Sequence, residues 1–165
     1  MIPIVSIVGK SNSGKTTLIE QLIPELIKRG YQVAVIKHHL DSFEIDHKGK
    51  DSWRHKQAGA KIVVVSSPQK IALIEDVSKD HSLEELATQF IRGVDIIITE
   101  GFKRDRHPKV EVYRKNVHHQ PLADELENLI AMVSDEPIHL NVPCIGFDDI
   151  PTLADIIESQ VIEAR

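Results

Sequence analysis

The segment Gly9-Lys10-Ser11-Asn12-Ser13-Gly14-Lys15-Thr16 carries the residue types and spacing of polyphosphate binding. Two glycines at this separation let the backbone wrap a phosphate tail with no Cβ in the way. A helix opening at Lys15 would point its unpaired N–H groups at the phosphate oxygens. Lys15 is expected to reach the β- and γ-phosphates, and Ser13 to add a donor. Thr16 would offer its hydroxyl to Mg²⁺, an ion that demands hard oxygen ligands. The bland alternative, a glycine-rich turn that only starts a helix, leaves Lys15 without a purpose.

Other candidates follow apolar runs, where the ligand crevice of a parallel sheet opens. Glu100 succeeds Ile96-Ile97-Ile98-Thr99. It is placed to orient a metal-bound water, with Gly101 leaving room for a γ-phosphate, since a carboxylate abutting such a run is costly to bury without a partner. Asp95 begins the same run and falls at the far end of the sheet. The loop after Ile36 holds Lys37, His38, His39, Asp41, Asp46, His47, Asp51, Arg54 and His55. It reads as a nucleotide-sensing switch, with Asp46 or Asp51 approaching the metal and Lys37, Lys50 or Arg54 the phosphates, or equally as a solvated loop. His38 and His39 are adjacent, diverge in an extended chain and have no cysteine partner, which argues against structural zinc. Lys103, Arg104, Arg106, Lys109, Arg114 and Lys115, with His107, His118 and His119, form either a solvated face or a dock for a phosphorylated ligand or acidic partner. Asp135, just past Val133, is able to accept hydrogen bonds from the N1 and N2 groups of guanine, a donor pair that adenine lacks; the same residues also make an ordinary turn.

Positioning these groups requires alternating strands and helices. Ile2 to Val8 reads as a buried strand before the loop, and Leu18, Ile19, Leu22, Ile23, Leu26 and Ile27 make one face of the following helix, stopped by Gly30. Pro24 removes the hydrogen bond to the Glu20 carbonyl and predicts a kink or a loosened turn. Val33 to Ile36 is expected to be a second buried strand, and residues 51–58 a short helix. Ile62 to Val65 and Ile71 to Ile74 are expected to pair across a Ser66–Gln69 turn. Ser82 with Glu85 makes a capping box for a helix carrying Leu83, Leu86, Ala87, Phe90 and Ile91. Val94 to Thr99, Val110 to Tyr113, Leu129 to Val133 and Cys144 to Phe147 read as strands, and Leu153, Ile156, Ile157 and Val161 as a closing helix. The alternation predicts a mainly parallel sheet covered on both faces, with some antiparallel addition from the 62–74 pair.

The chain has 165 residues, of which 41% are hydrophobic, enough for one domain with a real core and too few for two ordinary ones. A net charge of −5 offers no global attraction to nucleic acid or anionic lipid. The lone Cys144 excludes an intrachain disulfide or a cysteine-cluster metal site and fits a reducing cytoplasm. The short apolar N-terminal run lacks a basic leader and passes straight into the loop, so neither a signal peptide nor a membrane span is expected.

The ordered set Gly-Lys-Ser-Asn-Ser-Gly-Lys-Thr-Thr-Leu at 9–18, Ile-Lys-His-His at 36–39, Asp46, Gly-Lys-Asp-Ser at 49–52, Ala-Gly-Ala at 58–60 and Thr-Glu-Gly-Phe-Lys at 99–103 resembles the molybdopterin-guanine dinucleotide biosynthesis protein B (MobB) family over roughly residues 2–150. The loop alone would fit many families; its combination with 46–60 and Glu-Gly-Phe-Lys is far more specific. The resemblance implies a cytoplasmic GTP-binding protein with weak Mg²⁺-dependent GTPase activity, often a homodimer. Such a protein assists the MobA nucleotidyltransferase, which attaches GMP to molybdopterin, and possible contact with molybdopterin or its guanine dinucleotide belongs to the same expectation. Carried over by position, it implies Gly9, Gly14, Lys15, Thr16 and Thr17 as the nucleotide-binding set, with Asn12 and Ser13 in the same loop. Lys15 and Glu100 become the residues nearest the chemistry and Thr16, Asp46, Asp51 and Glu100 the metal side, while Asp135 stays a base-contact candidate read from its own position. The expected fold is α/β, a P-loop NTPase three-layer sandwich over residues 1–165 as a single nucleotide-binding domain.

Three other functions share the loop. A small-molecule kinase using ATP wants an arginine-rich lid, which 103–115 is able to imitate. A nickel-type metal-delivery GTPase usually shows a cysteine–histidine pair, whereas Cys144 stands alone. A pure binding module would keep nucleotide as a structural ligand.

Overall fold

The computed structural model describes residues 1–39 and 42–164. Two compact units emerge: Met1–His38 with Leu83–Arg165, and His39–Ser82. The larger unit holds a six-stranded sheet in the order β2-β5-β1-β6-β7-β8, and every pairing is parallel. Its strands are β1 (Ile4–Val8), β2 (Val33–Lys37), β5 (Ile96–Glu100), β6 (Lys109–Tyr113), β7 (Leu129–Ser134) and β8 (Cys144–Ile145). Its helices are α1 (Lys15–Lys28), α3 (Leu83–Phe90) and α4 (Ile150–Ile157), the last continued by a π turn over Glu158–Ile162.

Side-chain alternation along the strands builds a separate apolar layer on each face. Val5 and Ile7, Ile96 and Ile98, Val110 and Val112, and Ala131 and Val133 pack with Leu18, Leu22 and Leu26 of α1 and Leu153 and Ile157 of α4. On the opposite face Ile4 and Ile97 meet Leu83 and Ala87 of α3. The result is the expected three-layer α/β sandwich.

Several local expectations are met with changes. α1 runs unbroken through Pro24. Glu20 and Pro24 both face solvent, so the carbonyl that loses its partner is open to water. Gly30, at φ +96°, closes the helix: its N–H donates to Ile27 O and the N–H of Tyr31 to Leu26 O, the Schellman arrangement. β2, expected to be buried, is half-exposed because it is the edge strand, and Val35 is 44% exposed.

The smaller unit contains α2 (Asp51–Gln57) and an antiparallel hairpin of β3 (Ile62–Ser67) and β4 (Lys70–Glu75). The antiparallel strands therefore form their own two-stranded sheet and do not extend the main one. Ser67 pairs with Lys70, and the Ser67 hydroxyl accepts the N–H groups of Gln69 and Lys70, which narrows the turn to Pro68-Gln69. The Lys56 ammonium ties α2 to the hairpin start through the carbonyls of Ala60 and Lys61 and through Asp76.

Candidate functional site

The loop between β1 and α1 sits at the carboxyl edge of the sheet, with β5 on one side of β1 and β6 on the other. Its glycines are sterically required. Gly9 has φ +146°, and a Cβ there would stand 2.4 Å from the Val112 carbonyl oxygen. Gly14 precedes α1 at φ +101°. The helix start has no side-chain cap and no acidic residue in its first turn, so its amide donors and dipole remain available to an anion. The Lys15 ammonium folds over the loop, donating to Gly9 O at 3.1 Å and Lys10 O at 2.9 Å. Burial lowers its pKa, with the Glu100 carboxylate opposing that shift and the Lys37 ammonium adding to it.

On the β5 side, Thr16 Oγ1 donates to both carboxylate oxygens of Glu100 at 3.2 Å. Glu100 is the last residue of β5, with its side chain 14% exposed, and Lys37 at the end of β2 places its Nζ 3.2 Å from the same carboxylate. Parallel registry causes this meeting: Lys37 lies opposite Glu100, and Glu100 opposite Ile7. A hydroxyl and a carboxylate are hard oxygen donors suited to Mg²⁺, which would neutralise phosphate charge there. Thr16 and Lys37 thus both partner the largely buried Glu100 carboxylate.

On the β6 side the structure assigns different work to the basic stretch. Arg114, just after β6, donates from Nε to Ser13 O at 3.2 Å and lies 3.9 Å over the ring of Phe147. A Cβ on Gly14 would come within 3.3 Å of that Nε, so the guanidinium is wedged beneath the loop. His118 Nε2 donates to Ser11 O at 2.7 Å, and Lys10 Nζ to Gln120 O at 2.8 Å. Lys109 is wholly buried, its ammonium held by the carbonyls of Asp105, His107 and Glu127, with burial lowering its pKa. It is therefore no part of a charged surface. Lys115 pairs with Glu136 at 2.7 Å. Phe147, which shields Arg114, gave no signal in sequence beyond an aromatic ring ending an apolar run.

The remaining candidates scatter. Ser13 is fully buried, and its Oγ has no hydrogen-bond partner among the described residues. Asn12, at φ +62°, and Thr17 are exposed on the loop and first helical turn. Asp135 follows β7 and accepts the Lys115 N–H at 3.1 Å, a bond that links the ends of β6 and β7. Asp95 accepts the N–H of Gln32 at 2.7 Å, a structural bond at the far end of β5. In the smaller unit, Asp46 accepts the N–H of His47 at 2.8 Å through Oδ1, while Oδ2 is buried with no partner among the described residues. Asp51 is 90% exposed and stands 3.8 Å from Arg54. Asp41 lies outside the described residues. No helix among the described residues is long and apolar enough to cross a membrane.

Comparison with known proteins adds a lineage to this geometry. The family described as "Molybdopterin guanine dinucleotide synthesis protein B" matches residues 4–135. The chain is 40% identical to the molybdopterin-guanine dinucleotide biosynthesis adapter protein of Haemophilus influenzae, covering 96% of this chain and 89% of that protein. It is 36% identical to the Escherichia coli protein of the same description, covering 95% and 92% respectively. The crystal structure of Bacillus subtilis MobB superposes with a TM-score of 0.76 at 30% identity, over 97% of this chain and 98% of that one.

Proposed function

The chain belongs to the molybdopterin guanine dinucleotide synthesis protein B family, and from that premise we propose that it is a GTP-binding accessory protein of molybdopterin guanine dinucleotide biosynthesis. Its partner in this reading is a MobA-type nucleotidyltransferase, which joins GMP to molybdopterin. The observation that carries the nucleotide reading is the meeting of Thr16 and Glu100 at the mouth of a loop closed by Gly9 and Gly14, with the desolvated Lys15 ammonium folded over it.

Thr16 Oγ1 and Glu100 would hold Mg²⁺, with Asp46 or Asp51 approaching from the 39–82 segment when nucleotide is bound. Lys15 and the N–H groups opening α1 would take the phosphates, and Lys37 would release Glu100 to the metal. Asn12, Ser13 and Thr17 complete the loop, and Asp135 would select guanine. Hydrolysis is slow in this reading, because phosphoryl transfer depends on positioning and charge stabilisation that a partner completes. The protein acts in the cytoplasm as one nucleotide-binding domain and as a homodimer. Ile62, Val64, Val65, Ile71 and Leu73 of the hairpin, each between 46% and 72% exposed, support self-association, since two strands alone rarely bury enough to be stable.

Titration of GTP with Mg²⁺ against the Lys15→Ala variant tests the site. Binding is lost while circular dichroism and melting temperature are retained; undiminished GTP affinity in a folded variant refutes it. Competition between GTP and ATP tests the Asp135 reading, and a preference for ATP favours a kinase. Capture of the nucleotidyltransferase in only one nucleotide state tests the accessory role.

A further inference from the structure

Away from the loop, the first turn of α3 and the turn joining β5 to β6 bring Glu84, Asp105 and His107 together, with one donor atom from each within 4.8 Å of the others. His107 Nε2 stands 3.4 Å from Asp105 Oδ1 and 3.7 Å from Glu84 Oε1. That nitrogen is buried and has no hydrogen-bond partner among the described residues, a costly state for a polar atom. We propose that Glu84, Asp105 and His107 bind a first-row divalent transition-metal ion, of which Zn²⁺ is the simplest case, and so pin the β5–β6 turn to helix α3.

The separations favour an ion over a direct contact. A charge-assisted hydrogen bond would draw Nε2 to within about 2.7–2.9 Å of a carboxylate. Ligand atoms placed about 2.0–2.2 Å from a tetrahedral ion stand roughly 3.4 Å apart, the separation of His107 Nε2 from Asp105 Oδ1, and the half-exposed Glu84 side chain, 3.7 Å from Nε2, needs only a small adjustment to join them. One imidazole nitrogen with two carboxylates suits zinc, iron or manganese; Mg²⁺ and Ca²⁺ prefer oxygen alone. The ion would also cancel the two carboxylate charges. The turn is held in shape without it. Asp105 Oδ1 accepts the His107 N–H at 3.2 Å, the Asp105 N–H donates to Phe102 O at 3.0 Å, and the buried Lys109 ammonium ties together the carbonyls of Asp105, His107 and Glu127. Leu83, wholly buried against Ile4 and Ile97, fixes the start of α3 beside it. Ligands carried on rigid supports keep the geometry that a metal requires.

Calorimetric titration of the chelator-treated full chain with ZnCl₂, in the absence of nucleotide, tests this. One ion per chain is expected, with a rise in melting temperature as the ion binds the folded state. Glu84→Gln, at a half-exposed position, and His107→Gln should each weaken uptake at least about tenfold while remaining folded by circular dichroism, judged against the tenfold or greater losses typical of even outer-shell changes. A His47→Gln/His55→Gln double variant should bind as the parent does. Absence of saturable uptake, uptake unchanged in the Glu84 and His107 variants, or uptake lost only in the His47/His55 variant would each overturn the assignment. None of these readouts depends on nucleotide.

Discussion

The two strands flanking β1 are built on opposite principles. β5 presents apolar side chains to both faces, Ile97 to α3 and Ile96 and Ile98 to the α1–α4 layer, and keeps its polar chemistry for its end at Thr99 and Glu100. Thr99 itself is satisfied by a 2.9 Å bond to Ser6. β6 alternates apolar Val110 and Val112 with buried Lys109 and Glu111, and is followed by Arg114, which is committed to the β1–α1 loop. The β5 end therefore gathers the Thr16 hydroxyl, the Glu100 carboxylate and the Lys15 and Lys37 ammonium groups beside the loop mouth, while the β6 end commits Lys109 and Arg114 to backbone carbonyls beneath and beside it. One strand brings side-chain polar groups to the loop and the other braces its shape.

The strongest way to break that division is to press the loop against β6. Gly9→Ala drives a Cβ onto the Val112 carbonyl at a backbone angle that alanine rarely adopts. Nucleotide affinity should fall about a hundredfold, roughly 2.8 kcal/mol, by calorimetry. Retained affinity would mean the loop has more freedom than its contacts imply. Lys109→Met removes the buried ammonium and orphans three carbonyls. It should cost about 3 kcal/mol in denaturant unfolding, with nucleotide affinity of the folded fraction little changed.

Arg114→Ala tests bracing more gently. Nucleotide affinity should drop about tenfold, near 1.4 kcal/mol, and Arg114→Lys should not restore it, because an ammonium lacks the planar fork that both bonds Ser13 and stacks on Phe147. Full rescue by lysine would show that charge alone matters on this side. The smallest effect belongs to Glu111. Its carboxyl is buried, accepts the Leu122 N–H at 2.5 Å through Oε1 and leaves Oε2 without a partner among the described residues. Burial raises its pKa above the ordinary 4.5, against the opposing pull of that hydrogen bond and of Lys10. The folded chain thus retains a proton that the unfolded chain releases, so stability falls as pH rises from about 4.5 through the raised value. Melting temperature measured across that interval should decline less in Glu111→Gln than in the parent; parallel curves would assign the pH dependence elsewhere.

Much of the site was legible because its signals are local. A glycine, lysine and threonine at fixed spacing, between an apolar strand and an amphipathic helix, identify the loop by residue type alone, although β6 and the residues after it brace its shape. Glu100 was legible for the related reason that it ends a strongly apolar run. Arg114 and Lys109 were not, since both stand in a basic stretch where neighbouring residues are surface charges. Only the packing of 114–128 against β6 and the loop separates the wedged guanidinium and the buried ammonium from exposed Arg104 and Arg106. The 62–74 pairing was visible in its two short apolar runs and turn residues, but nothing local says whether a hairpin joins a larger sheet or stands alone.

By itself, then, the order of residues determined the strand–loop–helix core, the layered α/β class and the glycine-rich loop with its lysine and threonine, all of which arise from periodicity and steric freedom within short spans. Tertiary structure decided which strands adjoin β1, and through that which charges gather at the loop mouth and which are used up inside. Adjacency in a sheet is set by burial summed over the whole chain, so Thr16 meets Glu100, and Ser13 meets Arg114, across separations that no short-range pattern encodes.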